Sequence, residues 1–198
     1  MSERTAIDWG HAALAMSGEA KSGDYCVVEA AADTATLAVI DGVGHGEEAA
    51  AAAKTAALVL EATPNAPLRT LLDRCHEQLR ATRGVAMTIA RFDAPGRTLA
   101  WLGTGNVKSV LLRRSAQGFS CVDLLTYSGV VGSRLPPGPV SILGVARGDV
   151  LVLATDGVDT KFIDSLRYEE EPQTQADRLL ASYRSTSDDA LVLVARLR

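Results

Sequence analysis

The chain has 198 residues, 47% of them hydrophobic and 22% charged, with a formal net charge of −4. This suits an ordinary globular protein, expected as one domain over residues 1–198, and the negative balance argues against nucleic acid as the main partner. Cys26, Cys75 and Cys121 are too few and too far apart for a disulfide framework or a zinc site, and no run of about 18 apolar residues is present to cross a membrane. The cysteines are therefore expected to be reduced, buried and small-apolar in role. The opening Met1-Ser2-Glu3-Arg4-Thr5 does not lead into an apolar signal segment, so the expected compartment is the cytoplasm.

Taken in chain order, the first clear elements are a strand-like stretch around Cys26 and an apolar strand over residues 36–40. The second strand ends at Asp41 and runs into Gly42-Val43-Gly44-His45-Gly46. Residues 46–62 are rich in alanine, with Glu47 and Glu48 in the first turn, where the helix dipole favours acid. The small side chains at 49–53 would let this helix lie close to a sheet. Thr63-Pro64-Asn65-Ala66-Pro67 breaks it, and Leu68, Leu71, Leu72, Cys75 and Leu79 then mark a second helix over 68–82.

Residues 85–92 and 98–102 flank Asp93-Ala94-Pro95-Gly96 and read as a hairpin. Strands are predicted over 107–112 and 119–125, then an irregular, Pro-rich stretch over 127–145, the expected mobile loop. A strand over 150–154, helices over 161–166 and 173–183, and a closing strand over 190–197 complete the chain. Strand runs followed by helices, without regular alternation, predict an α+β fold with mainly antiparallel sheets.

Three acidic positions stand where a predicted strand meets a loop: Asp41, Asp156 and the pair Asp188-Asp189. Each alone could be a turn residue or a strand start. Together they could converge at one sheet edge, where carboxylates raise one another's pKa unless a cation sits among them. The cation that suits them is hard: magnesium, manganese or calcium. Gly42 could add its backbone carbonyl. Nucleophilic alternatives are poorly served: there are three histidines, no G-x-S-x-G elbow, no Walker loop and no G-x-G-x-x-G opening a helix. The pattern points to metal-assisted chemistry on a phosphate.

Five motifs then carry a resemblance: Ser22-Gly23-Asp24, Asp41-Gly42-Val43-Gly44-His45-Gly46, Gly103-Thr104-Gly105-Asn106, Gly148-Asp149 before Thr155-Asp156-Gly157-Val158, and Asp188-Asp189. In this order, over residues 18–197, the chain resembles the PPM-type metal-dependent serine/threonine phosphatases of the SpoIIE/RsbU/RsbX branch, most of all the RsbX kind that resets the stressosome. The resemblance implies two antiparallel sheets packed as a sandwich flanked by helices, with about two Mn2+ or Mg2+ ions in a cleft at one sheet edge. It implies substrates that are phosphoserine or phosphothreonine proteins with STAS domains, of the RsbR/RsbS type.

By the same resemblance, Asp41 bridges the metals, the Gly42 carbonyl joins one, Asp156 and Asp188 hold the first, and Asp24 lies near the second, mostly through water. Asp189 supports the site. A water held between the metals attacks phosphorus in line, with no phosphoenzyme. His45 either acts on the leaving group or packs the turn, and Asn106 either orders a turn or sheet edge or touches phosphate. The phosphate-binding arginine of eukaryotic relatives has no clear counterpart; Lys21 stands near that place and otherwise reads as a surface lysine. Leu191 occupies the position where the family's threonine is usual. The alternative is a PPM-like module that docks on the stressosome with little or no turnover.

Overall fold

The computed structural model describes residues 5–116 and 118–198. Ten strands form two five-stranded antiparallel sheets. One has the order β1 (Ile7–Leu14), β10 (Ala190–Leu197), β9 (Val150–Ala154), β6 (Lys108–Ser115), β7 (Gly118–Asp123). The other runs β2 (Asp24–Ala30), β3 (Thr34–Gly42), β4 (Val85–Asp93), β5 (Thr98–Thr104), β8 (Ser141–Gly144). Helices α1 (Gly46–Ala62) and α2 (Leu68–Leu79) cover the second sheet, and α3 (Pro172–Tyr183) with a 3-10 turn at Thr160–Ser165 covers the first.

The central strands have largely apolar middles because these are buried on both faces. In β3, Ala35, Leu37 and Val39 face the opposing sheet, whereas Ala38 and Ile40 face α1 and α2. In β10, Leu191, Leu193 and Ala195 enter the same inter-sheet core, while Ala190, Val192 and Val194 meet α3. The antiparallel α+β arrangement is the one that the strand and helix order implied, and the two-sheet sandwich flanked by helices is the one that the resemblance implied.

Close helix–sheet approach is built into small residues. Ala49, Ala52, Ala53 and Ala56 are buried on α1. A Cβ on Gly42 would come within 2.4 Å of the Ala49 carbonyl oxygen, so the end of β3 must be glycine for α1 to seat. Gly10 does the same for α3, where a Cβ would lie 2.3 Å from the Gln173 Cα.

Several expectations need correction. Cys121 is exposed on the edge strand β7, whose outer face lies outside the core formed with α3; Cys26 is half-buried and Cys75 buried. Strand β1 was not among the predicted elements. The second helix ends at Leu79 rather than Thr82, and the 160s segment is a 3-10 turn. Residues 127–145 are not simply loop: β8 pairs with β5, and Val131 exchanges backbone hydrogen bonds with Val85. Among the described residues no helix is long and apolar enough to cross a membrane.

Candidate metal centre

Each acidic residue owes its place to register. In the β2–β3 ladder, Asp24 pairs directly with Asp41, so both acids lie at one end of the second sheet. In the first sheet, β9 and β10 are antiparallel with Ala154 opposite Val192. Asp156, just past the end of β9, and Asp188, just before the start of β10, therefore lie at one end of that sheet.

Thr155 stitches the two ends together. Its hydroxyl donates to Asp24 Oδ2 at 2.7 Å, and its oxygen accepts the Leu191 N–H at 2.9 Å. Asp189 adds a second stitch, accepting the backbone N–H of Met16 and of Gly23, each at 2.8 Å. Gly157 is forced by this junction, because a Cβ there would fall 1.9 Å from the Asp189 carbonyl oxygen.

The acids perturb one another. Asp41 is pushed up to about 8, first by burial and then by the charges of Asp24, Asp156 and Asp188, with a side-chain hydrogen bond to Asp156 adding to the rise. Asp24 is pushed up to about 7, again mainly by burial; the Thr155 hydroxyl opposes the rise and Asp189, Asp188 and Asp156 add to it. Asp188 is also raised, by burial and then by Asp156, while His45 pulls the other way. Like charges held this close favour the neutral carboxyl unless positive charge is supplied.

Asp41, Asp156 and Asp188 line one cavity of about 630 Å³, together with His45, Asn106, Ser128 and Ser187. Asn106, expected to order a turn, also reaches the acids: its Nδ2 donates to Asp156 Oδ2. It gets there because Gly105 turns with φ +97°, packed so tightly that a Cβ would lie 2.4 Å from the Ala86 Cβ. His45 lines the cavity with Nδ1 2.9 Å from Glu19 Oε1. Lys21 does not line it; its ammonium pairs with Glu47 at 2.8 Å on the exposed surface. Asp24 lies buried behind Asp41, and Asp189 is turned toward the backbone it clamps.

Among the described residues, no three His, Cys, Asp or Glu side chains are already drawn into a coordination shell. Instead Asp24 is held by Thr155, Asp156 by Asn106, Asp41 by the neighbouring Asp156 carboxyl, and Asp188 by the backbone N–H of Asp189. The donor set nonetheless fits a hard divalent cation. It consists of carboxylate oxygens only, they raise one another's pKa, and three of the four open on one cavity.

Of the functional contacts, those of Asn106, Thr155 and Glu19 escaped sequence reasoning. The Thr155–Asp24 bond spans 131 positions in the chain, and no local pattern announces such a contact. The T-D-G-V motif was the available signal for Thr155.

Comparison with known proteins identifies the family and the fold. The family model described as Stage II sporulation protein E (SpoIIE) matches residues 31–198. The Phosphoserine phosphatase RsbX of Bacillus subtilis (strain 168) is 20% identical over 181 residues, covering 91% of this chain and 89% of RsbX. A crystal structure of RsbX in complex with magnesium superposes with a TM-score of 0.88 at 20% identity, covering 100% of this chain and 98% of that one. A chain from a structure of the bacterial stressosome, described as a modular system adapted to control secondary messenger signaling, superposes with a TM-score of 0.87 at 28% identity, covering 96% and 99%. The chain belongs to the SpoIIE family and is a PPM-type serine/threonine protein phosphatase.

Proposed function

We propose that this phosphatase removes phosphate from serine or threonine of STAS-domain proteins of the RsbR/RsbS type, in the cytoplasm, with residues 1–198 acting as one catalytic domain. The observation that supports the reading most is the meeting of Asp24, Asp41, Asp156 and Asp188, from four separate segments, at one end of both sheets beside one cavity. The likeness to RsbX and to a stressosome chain supports the choice of substrate.

In this reading Asp41, Asp156, Asp188 and the Gly42 carbonyl hold two divalent ions, manganese or magnesium, with Asp24 behind them. When bound, such ions supply charge compensation to the phosphoryl oxygens and lower the pKa of nearby water. The chain's own residues keep this set in order. Asn106 fixes one oxygen of Asp156, and Thr155 fixes one oxygen of Asp24. Asp189 ties the start of β2 to the start of β10 through Gly23. The carboxylates that would repel a phosphate dianion are then neutralised, and the cavity can accept it.

The test is phosphate release from a phosphorylated STAS-domain protein in Mn2+, with a generic phosphoserine peptide as comparison. The expected result is metal-dependent release, faster on the STAS-domain protein, abolished by EDTA and by Asp41→Ala. Activity that survives both treatments overturns the metal assignment, and equal rates on the two substrates overturn the substrate assignment.

A further inference from the structure

We propose that a trough beside the catalytic cavity receives the chain that flanks the phosphorylated residue, and that Arg184 there selects substrates with a carboxylate side chain close in sequence to the phosphate. This deepens the phosphatase reading above and rests on it. The trough, of about 390 Å³, is lined by Asp156, Asp159, Tyr183, Arg184 and Ser185 among others. Asp156 also lines the catalytic cavity, so the two hollows share a wall. A hydroxyl pair marks the junction: Ser185 lines the trough, Ser187 lines the cavity, and their Oγ atoms lie 2.8 Å apart. A peptide whose phosphate sits beside the acids of the cavity can therefore continue over Asp156, which is exposed.

Arg184 is fixed relative to the cavity. Residues 157–159 and 183–185 run as a short antiparallel ribbon past the end of β9. Val158 bridges Arg184, the Ser185 N–H donates to the Gly157 carbonyl at 2.7 Å, and the Asp159 N–H donates to the Tyr183 carbonyl at 2.9 Å. Arg184 also closes α3, its N–H donating to the Leu180 carbonyl at 3.0 Å. Two residues of chain span about 7 Å and a bridge sets partner Cα atoms about 5 Å apart, so the Arg184 Cα lies within about 12 Å of the Asp156 Cα. An extended peptide covers that distance in about four residues.

Charge makes the choice. Among the described residues the exposed Arg184 side chain has no ion pair and no hydrogen bond. Asp159, the other acid of the trough, is occupied: its Oδ1 accepts the Lys161 backbone N–H at 2.9 Å, and its Oδ2 faces the Lys161 ammonium at 3.6 Å. With Asp156 assigned to the ions, the charge left without a partner in the trough is the Arg184 guanidinium. Its planar fork of donors suits a carboxylate. A cation at the end of α3 is also favoured by the helix dipole. That effect acts on stability and not on the choice of substrate, so experiment separates the two.

The experiment uses three phosphoserine peptides that differ only at the positions two to four residues away on both sides, which are all Glu, all Ala or all Lys. They are assayed at saturating Mn2+ and low salt. For the unaltered protein, kcat/KM should be about threefold to tenfold higher on the Glu peptide than on the Lys peptide, with the Ala peptide between, as expected of one exposed charge contact. Arg184→Gln should bring this ratio near one, Arg184→Glu should invert it, and added NaCl should flatten it in the unaltered protein. A ratio near one in the unaltered protein overturns the assignment. So does a ratio that either variant leaves unchanged, even where its Tm falls, because Arg184 then serves only the end of α3. If Arg184→Glu does not fold, Arg184→Gln decides by the same ratio. All of these outcomes leave the phosphatase reading intact, whereas failure of the unaltered protein to hydrolyse any of the three peptides overturns both.

Discussion

Asp41→Asn should stabilise the metal-free protein while abolishing its response to metal. Asp41 stands at about 8 against an ordinary 3.8, chiefly through burial and then through Asp24, Asp156 and Asp188. At 1.36 kcal/mol per pH unit, that gap sets a ceiling of about 5 kcal/mol on the cost of folding with this group at pH 8. The repulsion is shared among four acids and water enters the cavity, so a single substitution should recover about 1–3 kcal/mol. For a chain of this length that is about 2–10 °C in Tm.

The sign fixes the pH window. A carboxyl whose folded value is raised contributes its stability fully below about 3.8, and that contribution is lost as pH rises toward about 8. The advantage of Asn over Asp should therefore be near zero at pH 4 and grow to pH 8. Thermal melts in EDTA at stepped pH measure it. Repeated with Mn2+, the unaltered protein should gain Tm at pH 8, since a ligand that binds only the folded state stabilises it, and the variant should gain little. A variant less stable than the parent at pH 8, or a difference that ignores pH, would refute the electrostatic reasoning; a full Mn2+ response in the variant would refute the assignment of Asp41 to the ions.

Two further substitutions separate chemistry from architecture. Asp156→Asn, at an exposed position beside the cavity, should lower phosphatase activity by about 10²-fold or more while leaving the metal-free Tm within about 2 °C; a large fall in that Tm would make Asp156 structural. Thr155→Val keeps the shape but removes the hydroxyl that serves both Asp24 and the Leu191 N–H. Leaving two buried polar groups unpaired should cost about 2–3 kcal/mol, or about 5–10 °C of Tm, measured in EDTA; a neutral result would mean that water replaces the hydroxyl.

How far the sequence could be read follows from which contacts are local. Strands β3, β9 and β10 were legible because two-sided burial writes an unbroken apolar run. Strand β1 was not. It lies at a sheet edge, its sequence Ile-Asp-Trp-Gly-His-Ala-Ala-Leu mixes polar and small residues, and its glycine is there to admit Gln173 of α3, a contact between distant positions. Strand β8 has four residues, too few for a pattern, and is defined by its pairing with β5. The acids were legible as a set because turn chemistry and metal chemistry both place aspartate at a strand tip. Their partners were not, since Asn106 and Thr155 look like ordinary loop residues until the sheets close.

That difference bears on how the site is made. The aspartates repel one another, and nothing in their own chemistry brings them together; Asp41 and Asp24 meet because β2 and β3 are in register, and Asp156 and Asp188 because β9 and β10 are antiparallel neighbours. The inter-sheet core supplies the apolar burial that holds both sheet ends in place. The polar stitches then choose the alignment: Thr155 to Asp24 and Asp189 to Gly23 both join a carboxylate of one sheet's end to a donor of the other's. Each raised pKa in the cluster is thus strain imposed by packing elsewhere, and it is the physical reason the assembled site should take up divalent cations.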